Sequence, residues 1–180
     1  MARYEIDPDR SRVWINASSS VHPIHSKTDG LEGYVELETG PGGGIDLATA
    51  PAGKLSLPVA RLSSGNPLED RELRRRIDAR RFPSIDGVLT GMAAGDDGRY
   101  RVSGDLAFRG VVRHCEDEMT VEVVDDDTIR LDGESTFDIR DFGRAPPRIL
   151  MQRVHPEVGV RVEIGAEKEG CRCTSTGCAA

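Results

Sequence analysis

Val154-His155-Pro156-Glu157-Val158-Gly159-Val160-Arg161-Val162-Glu163-Ile164-Gly165-Ala166 is the stretch that decides the fold. Val154, Val158, Val160, Val162, Ile164 and Ala166 fall on one side, and His155, Glu157, Arg161 and Glu163 on the other. Successive side chains of a strand point to opposite faces, so a period of two marks a strand with one dry side and one wet side. Pro156 has no N–H to give a ladder, which predicts an edge or an irregular entry near the start.

The same alternation recurs upstream. Val13, Ile15 and Ala17 share a face within residues 12–18, as do Leu31, Gly33, Val35 and Leu37 within 31–38. Leu55, Leu57 and Val59 alternate within 54–62, and Tyr100, Val102, Leu106 and Phe108 share a face within 99–109. Met119, Val121 and Val123 do so within 111–124, and Ile129, Leu131 and Phe137 within 128–138. Residues 84–92 read as a further strand with weaker alternation. Turn chemistry separates these runs: Gly40-Pro41-Gly42-Gly43-Gly44 as a flexible loop, Gly95-Asp96-Asp97-Gly98 as a hairpin connection, Asp125-Asp126-Asp127 as a polar turn. Many strands at short spacing predict an all-β sandwich or closed barrel.

One helix interrupts the strands, at about residues 66–78. Asn66 suits the N-cap, Pro67 the first helical position, and Glu69, Asp70 and Glu72 the positive end of the helix dipole. Leu68, Leu73 and Ile77 form only a partial apolar stripe, which places the helix on the outside or at a rim. The chain divides into a barrel domain at 1–168 and a small, polar, Cys-bearing tail at 169–180 that reads as disordered.

Composition narrows the function. The chain has 180 residues, a net charge of −7, 37% hydrophobic residues and 4% aromatic residues. An acidic surface repels phosphate backbones, and scarce aromatics offer few stacking platforms, so nucleic acid is not an expected partner. The opening Met-Ala-Arg-Tyr-Glu-Ile-Asp-Pro lacks the apolar core of a secretory signal and predicts a cytoplasmic protein.

Catalytic motifs are missing. Neither a Gly-rich phosphate loop ahead of a helix nor a G-x-S-x-G elbow occurs, so neither an enzyme nor a cofactor is expected. His22 and His25 form an H-x-x-H pair in what reads as a loop, short of a third zinc ligand. His114 and Cys115 are strand neighbours and point to opposite faces, which keeps them from acting as a nucleophile–base pair. Cys171, Cys173 and Cys178 crowd the tail. The basic patch Arg71, Arg74, Arg75, Arg76, Arg80 and Arg81 stands alone in an acidic chain and suits a lipid phosphate, an anionic membrane or an acidic partner.

Six motifs in order resemble the YceI-like family of lipid- or polyisoprenoid-binding domains. Tyr4-Glu5-Ile6-Asp7-Pro8-Asp9-Arg10-Ser11 is similar to its "Y-x-I/L-D-x-x-x-S" opening, and Gly30-Leu31-Glu32-Gly33 to its early glycine-bearing strand. Asn66–Leu73 resembles its "R-D-x-x-L" helix, and Phe82-Pro83-Ser84-Ile85 its "F/Y-P-x-I" strand entry. Gly104-Asp105-Leu106-Ala107-Phe108-Arg109-Gly110 and Ile139-Arg140-Asp141-Phe142-Gly143 complete the set. Where the family's helix runs on as "S-x-x-F-F/L", this chain reads Arg74-Arg75-Arg76-Ile77-Asp78-Ala79-Arg80-Arg81.

The resemblance implies an extended eight-stranded antiparallel lipocalin-like β-barrel with an elongated apolar cavity for an isoprenoid or similar chain. The inward positions then supply the lining: Leu55, Leu57, Leu89, Val102, Leu106, Phe108, Met119, Val121, Leu131, Phe137, Phe142, Val160 and Val162. Arg71, Arg109 and Arg140 are the candidates for an anionic head group. Arg71–Arg81 could meet an anionic membrane peripherally, and a homodimer stays open. Two other readings also stay open: a metal or redox protein built on His22/His25 and Cys171/Cys173/Cys178, and an interaction module with a filled barrel.

Overall fold

The computed structural model describes residues 1–20, 23–40, 42–143, 148–149 and 152–170. Its strands are β1 (Ala2–Ile6), β2 (Arg12–Ser19), β3 (Pro23–Thr28), β4 (Glu32–Thr39), β5 (Ile45–Asp46), β6 (Ala52–Pro58), β7 (Ser84–Ala94), β8 (Tyr100–Phe108), β9 (Val111–Val123), β10 (Thr128–Asp138), β11 (Arg148–Ile149) and β12 (Gln152–Lys168). One α-helix, α1 (Pro67–Ile77), lies between β6 and β7. The expected all-β barrel is present: an antiparallel sheet closed on itself through eight strands.

β12 closes the ring. One edge pairs with β10 from Asp138↔Glu157 to Thr128↔Glu167. The other edge pairs first with β2, from Ser19↔Val154 to Arg12↔Glu163, and then with β1, from Ile6↔Ala166 to Tyr4↔Lys168. β1 and β2 therefore act as one long strand broken at residues 7–11. The Tyr4–Ser11 motif builds that break. The amide N–H of Asp7 donates to the Gly165 carbonyl at 2.9 Å. The Ser11 hydroxyl, wholly buried, donates to the same carbonyl at 3.3 Å and accepts from the Gly165 N–H at 3.2 Å. The break is stitched to β12 by the groups a continuous ladder would have used.

β3 and β4 repeat the arrangement, broken at Gly30, whose φ of +78° suits glycine. β4 pairs with β1 and β6, whereas among the described residues the edge of β3 away from β2 meets a single bridge, Lys27↔Ser63. β9 and β10 also separate: they pair from Val123↔Ile129 to Met119↔Gly133 and no further, although both strands continue. The barrel is thus fully laddered at one end and splayed at the other. The laddered end is plugged by buried side chains, among them Tyr4, Leu37, Ile129 and Ala166.

Several expectations need correction. Residues 23–25, read as a loop, begin strand β3, because they pair with β2 down to Ser18↔Pro23. The run 54–62 stops as a strand at Pro58, and residues 59–61 form a 3-10 turn that buries Val59. Pro156, by contrast, meets the expectation of an irregular entry: β12 bulges against β2 between Val154 and Val158, and its pairing with β10 begins only at Glu157. Leu68 is exposed and takes no part in the apolar stripe of α1. The helix itself starts and stops for the anticipated reasons: Asn66 accepts from the Leu68 N–H at 3.1 Å, and Asp78 caps the end in the left-handed region.

Ser11→Ala deletes both hydrogen bonds to the part-buried Gly165 backbone groups; the carbonyl keeps the Asp7 N–H, while the Gly165 N–H loses the hydroxyl. We expect a loss of about 1–3 kcal/mol in urea unfolding with the fold retained at low denaturant, an amount set mainly by the N–H deprived of that acceptor.

Candidate functional site

The sheet encloses a cavity of about 710 Å³. Its walls run along β12 from Val154 to Ile164, eleven residues whose ten steps of about 3.3 Å span roughly 30 Å of strand. The space is therefore long and narrow. Its length comes from the strands, and glycines form part of its wall. Gly53, Gly87, Gly104 and Gly133 all line it, on four different strands. A β-carbon at Gly87 would come within 3.1 Å of Leu55, and one at Gly133 within 3.3 Å of Met119, so these positions leave space only for what their neighbours do not fill. The composition already hinted at room through its few aromatics; the glycines on inward-facing positions are the signal that the strand-by-strand reading passed over.

The anticipated lining residues mostly occupy this wall. Leu55, Leu57, Leu89, Val102, Leu106, Phe108, Met119, Leu131, Phe137, Phe142, Val160 and Val162 all face the cavity. Val121 does not: it packs on the core at the plugged end. Phe108 and Phe142 meet edge to face, ring centroids 5.6 Å apart, near the splayed end.

Of the arginine candidates, Arg109 lines the cavity, while Arg71 and Arg140 do not. Arg71 is exposed on α1. Arg140 is also exposed and grips Asp138, with Nε 2.9 and 3.0 Å from the two carboxylate oxygens. That bond holds the Asp138 carboxyl below its usual range. Arg76, unremarked as an individual residue in the sequence, does line the cavity.

α1 forms part of the wall where the β3 edge is unpaired. Leu73 and Ile77 face the cavity. Asp70 pins the helix in place: it accepts from the Ser64 N–H at 2.7 Å, the Ser64 hydroxyl at 2.8 Å and the Ser63 hydroxyl at 2.9 Å. Burial alone would push this carboxyl up, but those donors and the nearby Arg74 bring it below its ordinary value.

The wall also carries polar groups where β9 and β10 part. Cys115, Asp117 and Ser135 all face inward there. Burial raises the Asp117 carboxyl, and a hydrogen bond with Ser135 offsets part of that rise. Burial, and then the charges of Asp117, Asp105 and Asp141, raise the Cys115 thiol, which makes it a poor nucleophile near neutral pH. His114 points the other way, to Asp105 at 2.9 Å on the outer face. The strand geometry keeps these neighbours apart as anticipated.

Among the described residues the other histidines build no metal centre. His25 lies on β3, exposed, with Nδ1 2.7 Å from the Asn16 side-chain oxygen. His22, Cys171, Cys173 and Cys178 lie outside the described residues. Among the described residues no group of three His, Cys, Asp or Glu side chains could hold a metal ion. Among them, too, no helix is long and apolar enough to cross a membrane.

A family model, the YceI-like domain, matches residues 4–166. The chain belongs to the YceI-like family. Solved structures agree on the fold at low sequence identity. Burkholderia cenocepacia BcnA superposes with a TM-score of 0.73 at 18% identity, over 89% of this chain and 98% of that one. A polyisoprenoid-binding domain from Saccharophagus degradans, implicated in plant cell wall breakdown, gives 0.71 at 14% identity over 93% and 99%. The Campylobacter jejuni YceI protein gives 0.63 at 12% identity over 80% and 84%. No curated protein sequence matches this chain.

Asp117 provides a check on the wall chemistry. A raised folded-state pKa means that the folded protein holds this proton more tightly than the unfolded chain does. Stability then falls as pH rises from the ordinary aspartate range through the raised value. Asp117→Asn should raise the melting temperature at pH 7 and leave it unchanged at pH 3, in scanning calorimetry at both pH values.

Proposed function

We propose that this YceI-like barrel sequesters a long apolar or amphiphilic chain, of the isoprenoid type, in its interior and performs no chemistry on it. The observation that carries this reading is the 710 Å³ cavity with its aliphatic wall, open at the splayed end. Its size falls within the range of small-molecule sites, roughly 300–1,000 Å³. Its narrow, extended form suits a flexible chain better than a compact solute. Each methylene moved from water into such a wall contributes about 0.8 kcal/mol, so useful affinity needs no reactive group. A filled barrel acting only as an interaction module would leave this space unexplained.

The relatives point the same way. The family and the Saccharophagus domain, described as polyisoprenoid-binding, supply the ligand class. Leu55, Leu57, Leu89, Val102, Leu106, Phe108, Met119, Leu131, Phe137, Phe142, Val160 and Val162 are the residues we assign to the chain. Arg80 lies exposed just after α1, next to Arg81 in the chain, and is the residue we assign to contact with an anionic bilayer during loading.

The test is to fill the cavity. Leu106→Trp adds bulk at its centre, and overpacking of this kind costs about 1–3 kcal/mol, which a stable barrel tolerates. Titrated with a fluorescent long-chain prenol, the wild type should bind and the variant should lose at least about tenfold in affinity, with an unchanged far-ultraviolet dichroism spectrum. Equal binding by the two proteins, or none by the wild type, would overturn the proposal.

A further inference from the structure

A second hollow, of about 600 Å³, opens beside the cavity at the splayed end. It lies between the last turn of α1, the residues that follow it and the β8–β9 turn. Arg75, Arg76, Arg81 and Arg109 line it, together with Phe82 and Phe142. Arg76, Arg109 and Phe142 line the apolar cavity as well, so the two spaces adjoin at a neck built from these three residues.

The charge in this hollow opposes that of the chain. Among the described residues, four arginines and one carboxylate, Asp78, line it, in a protein whose net charge is −7. Two of these guanidinium groups share a further carboxylate, Glu72. Arg75 donates to it at 2.8 and 3.0 Å and Arg76 at 2.8 Å, so two cations rest on one anion. Arg81 stacks on the Phe82 ring at 5.2 Å. Arg109 is fixed at its root: Arg109 and Gly110 have φ of +53° and +77°, the values of a two-residue hairpin turn. Its Nε is buried with no hydrogen-bond partner among the described residues. A buried donor of this kind favours an acceptor brought by a ligand.

We propose that this hollow seats an anionic head group of the phosphate type on a lipid whose chain lies in the barrel. The inference rests on the reading of the barrel as a chain-binding cavity. Planar guanidinium forks match phosphate oxygens in pairs, and four of them converge where a chain leaving the cavity would place its polar end. The acidic remainder of the surface repels stray anions, so the attraction is confined to this mouth. Of the residues that the family-like segment replaces with arginine, Arg75, Arg76 and Arg81 are the ones the fold turns toward Arg109.

The experiment compares three probes by calorimetric titration: farnesyl phosphate, farnesol and inorganic pyrophosphate. It uses the wild type, the double variant Arg81→Gln/Arg109→Asn and the control Arg71→Gln, which lies outside the hollow. Asparagine is chosen at position 109 because it tolerates positive φ. A melting curve for each protein, and Arg81→Lys as the conservative variant, separate lost charge from lost folding.

The wild type and Arg71→Gln should bind farnesyl phosphate at least about tenfold more tightly than farnesol, and added salt should narrow the gap. In the double variant the phosphate should fall to the affinity of the alcohol, which itself stays unchanged. Equal affinity for phosphate and alcohol in the wild type overturns the head-group site while leaving chain binding intact. Tight pyrophosphate binding with no gain from the chain overturns it in favour of a free-anion site. Failure of all three probes to bind removes the chain-binding reading together with this one.

Discussion

A barrel exists only if its last strand finds partners on both edges, and β12 meets that demand against a strand cut in two. Its long edge is served by β2 and then by β1, with the gap at residues 7–11 stitched through Ser11 and Asp7 to Gly165. The break lets the wall turn a corner without leaving Gly165 unpaired. Were β12 to lose that edge, the sheet would open into a sandwich-like layer with exposed edges, and there would be no enclosed space to discuss.

The closed end and the open end follow from the same ladder. Toward β1, β4 and the start of β10 all pairings are complete, and large side chains such as Tyr4, Leu37 and Ile129 fill the interior. Toward the other end β3 and β6 diverge, β9 and β10 part, and inward positions are taken by glycine on four strands. At Gly87 and Gly133 the missing β-carbon lets Leu55 and Met119 lie close against the wall. α1 covers part of the first gap and is held there by the Asp70 contacts with Ser63 and Ser64. The 3-10 turn at Ile139–Phe142 lies over the second, linked to β9 where Arg113 donates to the Asp141 carbonyl at 2.6 Å. The result is a tube with a plugged base and a mouth whose rim is assembled from connections, the usual place for binding groups on a rigid scaffold.

Most of the lining was legible because it depends on alternation alone. Phe137 and Leu131 face inward for the same local reason as Val160 and Val162. Val121 shares their face but lies nearer the plugged end, and no local pattern tells depth along a barrel. The arginines show the limit more sharply. Arg71, Arg109 and Arg140 are equivalent as charges in the sequence. The structure sends Arg140 to its own neighbour Asp138 and leaves Arg71 in solvent, while Arg109 alone lines the cavity. Residues 23–25 carry weak strand propensity in a His-Pro-bearing segment, and their pairing with β2 overrides it.

The sequence by itself determined the local facts: which runs are strands, which of their sides are dry, and where the helix begins and ends. These depend on interactions within a few residues, where the period of two, the Asn66 cap and the turn glycines act directly. Tertiary structure alone decided that β1 and β2 share one partner, that the ring shuts at Gly165, and that Arg75 and Arg76 of α1 line one hollow with Arg109. Those outcomes depend on register between strands far apart in the chain, and register is an agreement among all eight strands that no single segment encodes.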